Sequence, residues 1–196
     1  MTRGPKKQFD TEATLLKAME VFWARGYEAA SLSELLKHMG IGKKSLYDTY
    51  GNKQTLFLKA LDHYANTQIR SISDRLSAPG SPLENLKALL RELQEMHAQP
   101  KSCGCMIGTN IADFSTDDEA IAKVLRAYLT RLEDAFCAAI ARAQAVGEVS
   151  SVADSRALAR LLLCTTQGMA LLGRVLKDEA LLEGTTTATL ALLSER

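Results

Sequence analysis

Apolar residues return every three or four positions along nearly the whole chain and nowhere convincingly every second one, so the pattern predicts helices and no strands. Asp10 is placed to cap a first helix whose inward stripe runs Leu15, Ala18, Met19, Phe22, Trp23, with Gly26 suited to its C-terminal end. Ser31 followed three residues later by Glu34 forms a capping box for a second helix, with Leu32, Leu35 and Leu36 facing inward until Gly40 stops it. A third element, GKKSLYDTY, buries only Leu46 and Tyr50 and leaves Lys43, Lys44, Ser45, Tyr47 and Thr49 outside. Two turns of helix are marginal in water, so the first two helices must hold it by packing. Asn52 caps a fourth helix that begins at Lys53 and runs through Leu56, Ala60 and Tyr64 towards Leu76.

Beyond the breaker SAPGSP, Ser81, Pro82 and Glu84 combine an N-cap, a first-turn proline and a capping-box acid, predicting a helix to about Gln99. A short helix is expected over Cys103 to Phe114, and Thr116 with Glu119 predicts another capping box. The long stripe Ile121, Val124, Leu125, Tyr128, Leu132, Phe136, Ile140 then places a helix from Asp117 to Ala145. Asp154 opens a further helix, Ser155 to about Leu176, that is apolar nearly all round and needs cover on every side, which a partner subunit would supply. TTTATLALLSER reads as a short terminal helix. The predicted fold class is all-α.

Charge divides the chain although the net charge is only +1: residues 1–59 carry ten Lys/Arg against six Asp/Glu, and residues 60–196 fourteen against seventeen. A basic head on a mildly acidic body fits a polyanionic partner. No apolar run approaches the roughly 20 residues of a bilayer span, and MTRGPKKQFD lacks the apolar core of a secretory signal, so a cytoplasmic protein with no membrane partner is expected. In that compartment Cys103, Cys105, Cys137 and Cys164 are thiols.

Residues 31–53 read as a helix, a tight turn at MGI and a second short helix, the helix-turn-helix pattern. In that motif the second helix enters the DNA major groove with its first residues against base edges. Lys43 and Lys44 sit at that leading end, able to donate to guanine or neutralise phosphate, with Ser45 beside them. Tyr47, Thr49 and Lys53 are candidates for phosphate contacts that fix register. The amides near Ser31 and Ser33 offer a further phosphate site, and TRGPKK a flexible arm. By spacing alone, the same pattern also fits a solvated helical corner.

Residues 15–61, with GY closing the first helix, the Ser31 cap, GI in the turn, SLY in the third helix and YGNK before the fourth, resemble the DNA-binding domain of TetR/AcrR-family transcriptional regulators. The resemblance implies a helix-turn-helix domain over residues 1–52 and a helical ligand-binding and dimerisation domain over 53–196. It further implies a homodimer of about nine helices per chain that binds double-stranded DNA and, most often as a repressor, leaves a pseudo-palindromic operator when a small-molecule effector binds. Gly42 stands where the family often has a helix-capping serine.

SCGCMIGTNIADFS resembles the start of the sixth helix in a subset of these regulators. Cys105, Met106, Thr109, Asn110 and Phe114 with Tyr64, Tyr128 and Gln167 are candidate effector-pocket residues. The thiols allow three readings: Cys105, Cys137 and Cys164 as small core residues; Cys103 near a helix N-terminus as an oxidant or electrophile sensor, alone or with Cys105; or capture of a metal with His97, for which the ligand set is incomplete. His38 and His63 need no special role. An enzyme would require an acid-base pair, an activated nucleophile, or a metal or cofactor motif, and none is found. A helical adaptor would show apolar anchors where Lys43, Lys44, Ser45 and Thr49 stand.

Overall fold

The computed structural model describes residues 9–111 and 118–194. Among these residues the backbone forms nine α-helices and no strand, in agreement with the all-α expectation. They are α1 (Thr11–Arg25), α2 (Leu32–Met39), α3 (Lys43–Tyr50), α4 (Lys53–Leu76), α5 (Pro82–Ala98), α6 (Met106–Ile111), α7 (Glu119–Ala145), α8 (Ser155–Leu176) and α9 (Glu179–Ser194). The chain divides into two compact units, Met1–Tyr64 and Ala65–Arg196; α4 runs unbroken through that division.

In the first unit, capping residues close the helices where the sequence places them. Asp10 accepts from the amides of Glu12 and Ala13 at 2.8 and 3.2 Å. Ser31 accepts from Glu34 N at 3.1 Å, while the Glu34 carboxylate reaches sideways to Arg25 on α1 at 3.2 Å. Gly40 ends α2 with φ +71°, a left-handed conformation that a residue with a Cβ adopts only under strain. Asn52 accepts from Thr55 N at 2.9 Å. Phe22, Leu35, Leu46, Leu56 and Phe57 are fully buried, and Phe22 and Phe57 meet edge to face at 5.0 Å between centroids. Burial of each such side chain stabilises by roughly 1.5–3 kcal/mol, which is what holds so short a helix as α3 in place.

In the second unit, Ser81 caps α5 by accepting from Glu84 N at 3.0 Å, and the Glu148 carboxylate accepts from Leu83 N at 2.9 Å. The far half of α4 is tied down by Arg75 to Glu92 at 2.7 Å, Arg131 to Asn66 at 2.7 Å and Arg142 to the Leu76 carbonyl at 2.9 Å. Gln144 donates to the Ser150 and Ala153 carbonyls, which folds the α7–α8 connection so that α8 returns along α7. Arg156 at the start of α8 then reaches Asp134 on α7 at 2.6 Å.

Two boundaries, the starts of α6 and α9, differ from expectation. Helix α6 begins at Met106, not Cys103, because the preceding glycine is left-handed at φ +71°. Asp118 caps α7 by accepting from Ile121 N at 3.2 Å. The capping role expected of Thr116, the start expected at Asp117, and the end of the short helix at Phe114 lie outside the described residues, as does the TRGPKK arm. Helix α9 begins at Glu179, six residues before the expected segment, where Asp178 accepts from Leu181 N at 3.0 Å and opens the helix.

Candidate nucleic-acid interface and buried polar cluster

Helix α3 is anchored on one side and bare on the other. Leu46 and Tyr50 point into the unit, and the Tyr50 hydroxyl donates to the Thr11 carbonyl at 2.7 Å while pairing with Thr14 Oγ1. This link fixes the end of α3 to the start of α1. Sequence reasoning read Tyr50 only as an apolar anchor; a phenol on a buried position opposite the threonines of the first turn of α1 was the available signal. The opposite face exposes Lys43, Lys44, Tyr47 and Asp48, with Ser45 and Thr49 half-buried; Tyr47 is 46% exposed. Gly42 supplies no side-chain cap, so the first amides of α3 have no side-chain acceptor. The motif thus displays two cations, a phenol and helix-end N–H groups together.

The other candidates of this surface lie around α3. Ser33 is exposed and Ser31, also exposed, is engaged in its cap. Lys53 is half-buried: its ammonium stands 4.5 Å from the Tyr27 ring centroid and donates to the Glu28 carbonyl at 3.4 Å. That cation is held near the foot of the motif and extends less freely than Lys43 or Lys44. His38 pairs with Glu20 at 2.7 Å.

The pocket candidates of the second unit gather where α6 meets α7 and α8. The Cys105 thiol donates to the Tyr128 hydroxyl at 4.0 Å, and burial, with Cys105 as the smaller cause, pushes the Tyr128 hydroxyl well above its ordinary pKa, so it stays protonated. A Cβ on Gly108 would lie 2.8 Å from Gln167 Oε1 and 3.7 Å from Cys105 Cβ, which brings Cys105, Gly108 and Gln167 together on one face. Met106 and Asn110 are fully buried. Thr109 donates back to the Cys105 carbonyl at 3.0 Å, and Asn110 Nδ2 donates to the Met106 carbonyl at 2.6 Å. Tyr64 belongs to the first unit, where its ring meets Trp23 edge to face at 5.0 Å. Phe114 lies outside the described residues.

Three buried polar atoms among the described residues have no hydrogen-bond partner: His97 Nδ1, Asn110 Oδ1 and Gln167 Oε1. Burial lowers the His97 pKa from 6.5 to about 4, so the ring is neutral. Sequence reasoning considered His97 only as a metal ligand; its place on the buried stripe of α5 was the missed signal. Among the described residues no group of three or more His, Cys, Asp and Glu is arranged to hold a metal ion.

The thiols differ from the core reading at two positions. Cys105 is buried, but Cys137 is half-buried and Cys164 is exposed, because that face of α8 has no cover among the described residues. Cys103 stands three residues ahead of α6, its thiol donating to the Lys101 carbonyl at 3.7 Å, and so lacks the helix-terminal position expected of a sensor.

Residues 15–60 match the model for bacterial regulatory proteins of the tetR family, and residues 82–189 match a tetracyclin repressor-like C-terminal domain. The chain is 34% identical to an uncharacterized HTH-type transcriptional regulator, YezE, of Bacillus subtilis, over 97% of this chain and 99% of that one. It is 31% identical to the HTH-type transcriptional repressor ComR of Escherichia coli, over 88% and 83%. A cysteine-substituted form of the TetR-family regulator CifR, solved with 26-base-pair double-strand operator DNA, superposes with a TM-score of 0.84 at 29% identity, covering 95% of this chain and 98% of that one.

Proposed function

Because the chain belongs to the TetR family of bacterial transcriptional regulators, we propose that it works as a cytoplasmic homodimeric repressor, binding a pseudo-palindromic double-stranded operator through α3 and leaving it when a small molecule occupies the second unit. The observation that carries this reading is the two-sided α3: Leu46 and Tyr50 bury it while Lys43, Lys44 and Tyr47 stand exposed together. Residues 1–52 serve as the DNA-binding part and 53–196 as the effector and dimerisation part, with α4 the first helix of the latter. The reading assigns no catalytic step.

Lys43, Lys44 and Ser45 meet base edges, and Tyr47, Thr49, Lys53 and the amides near Ser31 and Ser33 meet phosphates. The second copy covers α8, whose stripe Leu161, Cys164, Leu172 and Val175 is exposed at helical spacing. Two copies of α3 then face half-sites about 34 Å apart. Release requires an effector that binds the DNA-free arrangement more tightly than the DNA-bound one, and α4, fixed in both units, is the continuous element that both arrangements share. A thiol-sensing version of the scaffold has less support, since Cys105 is buried and Cys103 precedes its helix.

Binding titrations over operator variants and salt concentrations test the assignment. Lys44→Ala should change which bases are tolerated at one position of each half-site. Lys53→Ala should weaken all sequences alike and reduce the log-log salt slope by about 1 for each phosphate no longer neutralised. Equal effects of both variants on every sequence would refute the division of roles.

A further inference from the structure

Helix α3 carries one acidic side chain, Asp48, and it stands on the outward arc with the two lysines. At about 100° per residue the exposed positions fall in the order Lys43, Tyr47, Lys44, Asp48 over one continuous arc of roughly 140°, with Asp48 at its edge beside Lys44. Leu46 and Tyr50 are buried on the other side.

Within the chain this is an unfavourable place for a carboxylate. Asp48 lies in the last turn of an eight-residue helix, where the carbonyl ends of the dipoles repel negative charge, and aspartate is a poor helix former. Lys44, one turn earlier, is spaced to pair with it, yet among the described residues no side-chain hydrogen bond or ion pair engages Asp48. Lys59 answers the helix end instead: its ammonium donates to the Thr49 carbonyl at 3.5 Å and stands 5.6 Å from the Tyr50 ring centroid. Local rules broken without an internal gain point to a functional position.

Against DNA every phosphate repels the same carboxylate, so its desolvation is offset only by a base that offers a donor. In the major groove cytosine N4 is such a donor, whereas guanine O6 and N7 and thymine O4 are acceptors. Lysine has the opposite choice and donates to guanine O6 and N7. Side by side, Lys44 and Asp48 present a donor and an acceptor, the complement of guanine and cytosine edges.

We infer that Asp48 is a specificity-determining residue of α3: its carboxylate accepts from the N4 amino group of one cytosine in each half-site, beside the base met by Lys44, and its charge weakens binding to DNA that lacks that cytosine. This rests on the DNA-binding reading above and deepens it.

The test enriches a randomised duplex library with the full-length natural chain and with Asp48→Asn. Enriched sequences, their single-base variants and an unrelated duplex are then titrated by fluorescence anisotropy over a range of salt. The natural chain should show one position per half-site where replacing cytosine weakens binding about tenfold or more. Asparagine pairs bidentately with adenine N6 and N7, so Asp48→Asn should lose that preference or pass it to adenine while other positions keep theirs. It should also bind the unrelated duplex several-fold more tightly at low salt, a difference that fades as salt screens the charge. Should Asp48→Asn lose its cooperative melting transition, Asp48→Ala carries the same expectation without the gain at adenine. Unchanged base preferences in the folded variant overturn the proposal, as does a variant that tightens on all duplexes alike and still selects the cytosine, since the carboxylate would then only repel phosphates. No enrichment of any sequence by the natural chain sinks the DNA-binding reading itself, which tells that failure from the failure of Asp48.

Discussion

The first unit and the segment from His97 to Ile111 hold themselves in place by opposite means. Around α1 to α3 the helix-closing bonds are local: Asp10 caps two and three residues ahead, Ser31 three ahead, and Asn52 three ahead. Around α6 the backbone is held from far along the chain, with Arg174 reaching the Cys103 carbonyl and Lys177 the Ser102 carbonyl. Among the described residues the first arrangement leaves no buried side-chain nitrogen or oxygen unpaired, and the second leaves three. A surface that reads DNA benefits from the former, because a rigid short helix loses little freedom on docking. Around α6 the unpaired buried groups instead carry a desolvation cost that the first unit avoids.

The largest test of this contrast is Phe57→Ala. Phe57 is fully buried against Phe22 and Tyr27, so its truncation should cost about 3–5 kcal/mol and abolish operator binding, read by denaturant unfolding and titration. If α3 owed its position to anything other than this core, DNA binding would survive. Next comes the pH response of the second unit. The folded His97 pKa is about 4 against an ordinary 6.5, so stability is complete above pH 6.5 and falls as pH drops towards 4, by up to about 3 kcal/mol. Thermal midpoints between pH 7 and 4 should decline less in His97→Leu than in the natural chain; parallel declines would show that His97 is not the responsible group. Smaller again is Tyr50→Phe, which deletes the hydroxyl bond to the Thr11 carbonyl and should cost about 1 kcal/mol while weakening operator binding through a looser α3. Unchanged operator affinity would separate the tie from the orientation of the helix.

The same contrast governs what the sequence made legible. The caps at Asp10, Ser31, Gly40, Ser81 and Asp154 could be read because each is written within a few residues of the helix it closes. The buried pair Leu46 and Tyr50 followed from i, i+4 spacing. What escaped was set by partners distant in the chain. The start of α6 depends on a left-handed glycine in a loop clamped by α8, and the exposure of Cys164 depends on which face of α8 stays uncovered. The unpaired state of His97, Asn110 and Gln167 is a property of packing among four helices, which no periodicity encodes.

Gly42→Ser is the smallest and most discriminating change. Gly42 sits at the N-cap of α3 with φ −77° and ψ 158°, a conformation open to any residue, and an added Cβ would meet nothing within 4 Å. A serine hydroxyl there accepts from an amide of the first turn, so α3 should gain a few tenths of a kcal/mol, seen as a slightly higher unfolding midpoint. The effect on DNA then separates two uses of the bare helix end. If Lys43 and Lys44 supply the contacts and the amides do not, operator affinity stays within about twofold, because so small a gain in stability corresponds to less than a factor of two in equilibrium; this is the outcome expected from the exposed lysines. A stabilised protein that binds operator tenfold more weakly would instead mean that the uncapped amides themselves hold a phosphate, and that the missing cap is what lets α3 approach the backbone.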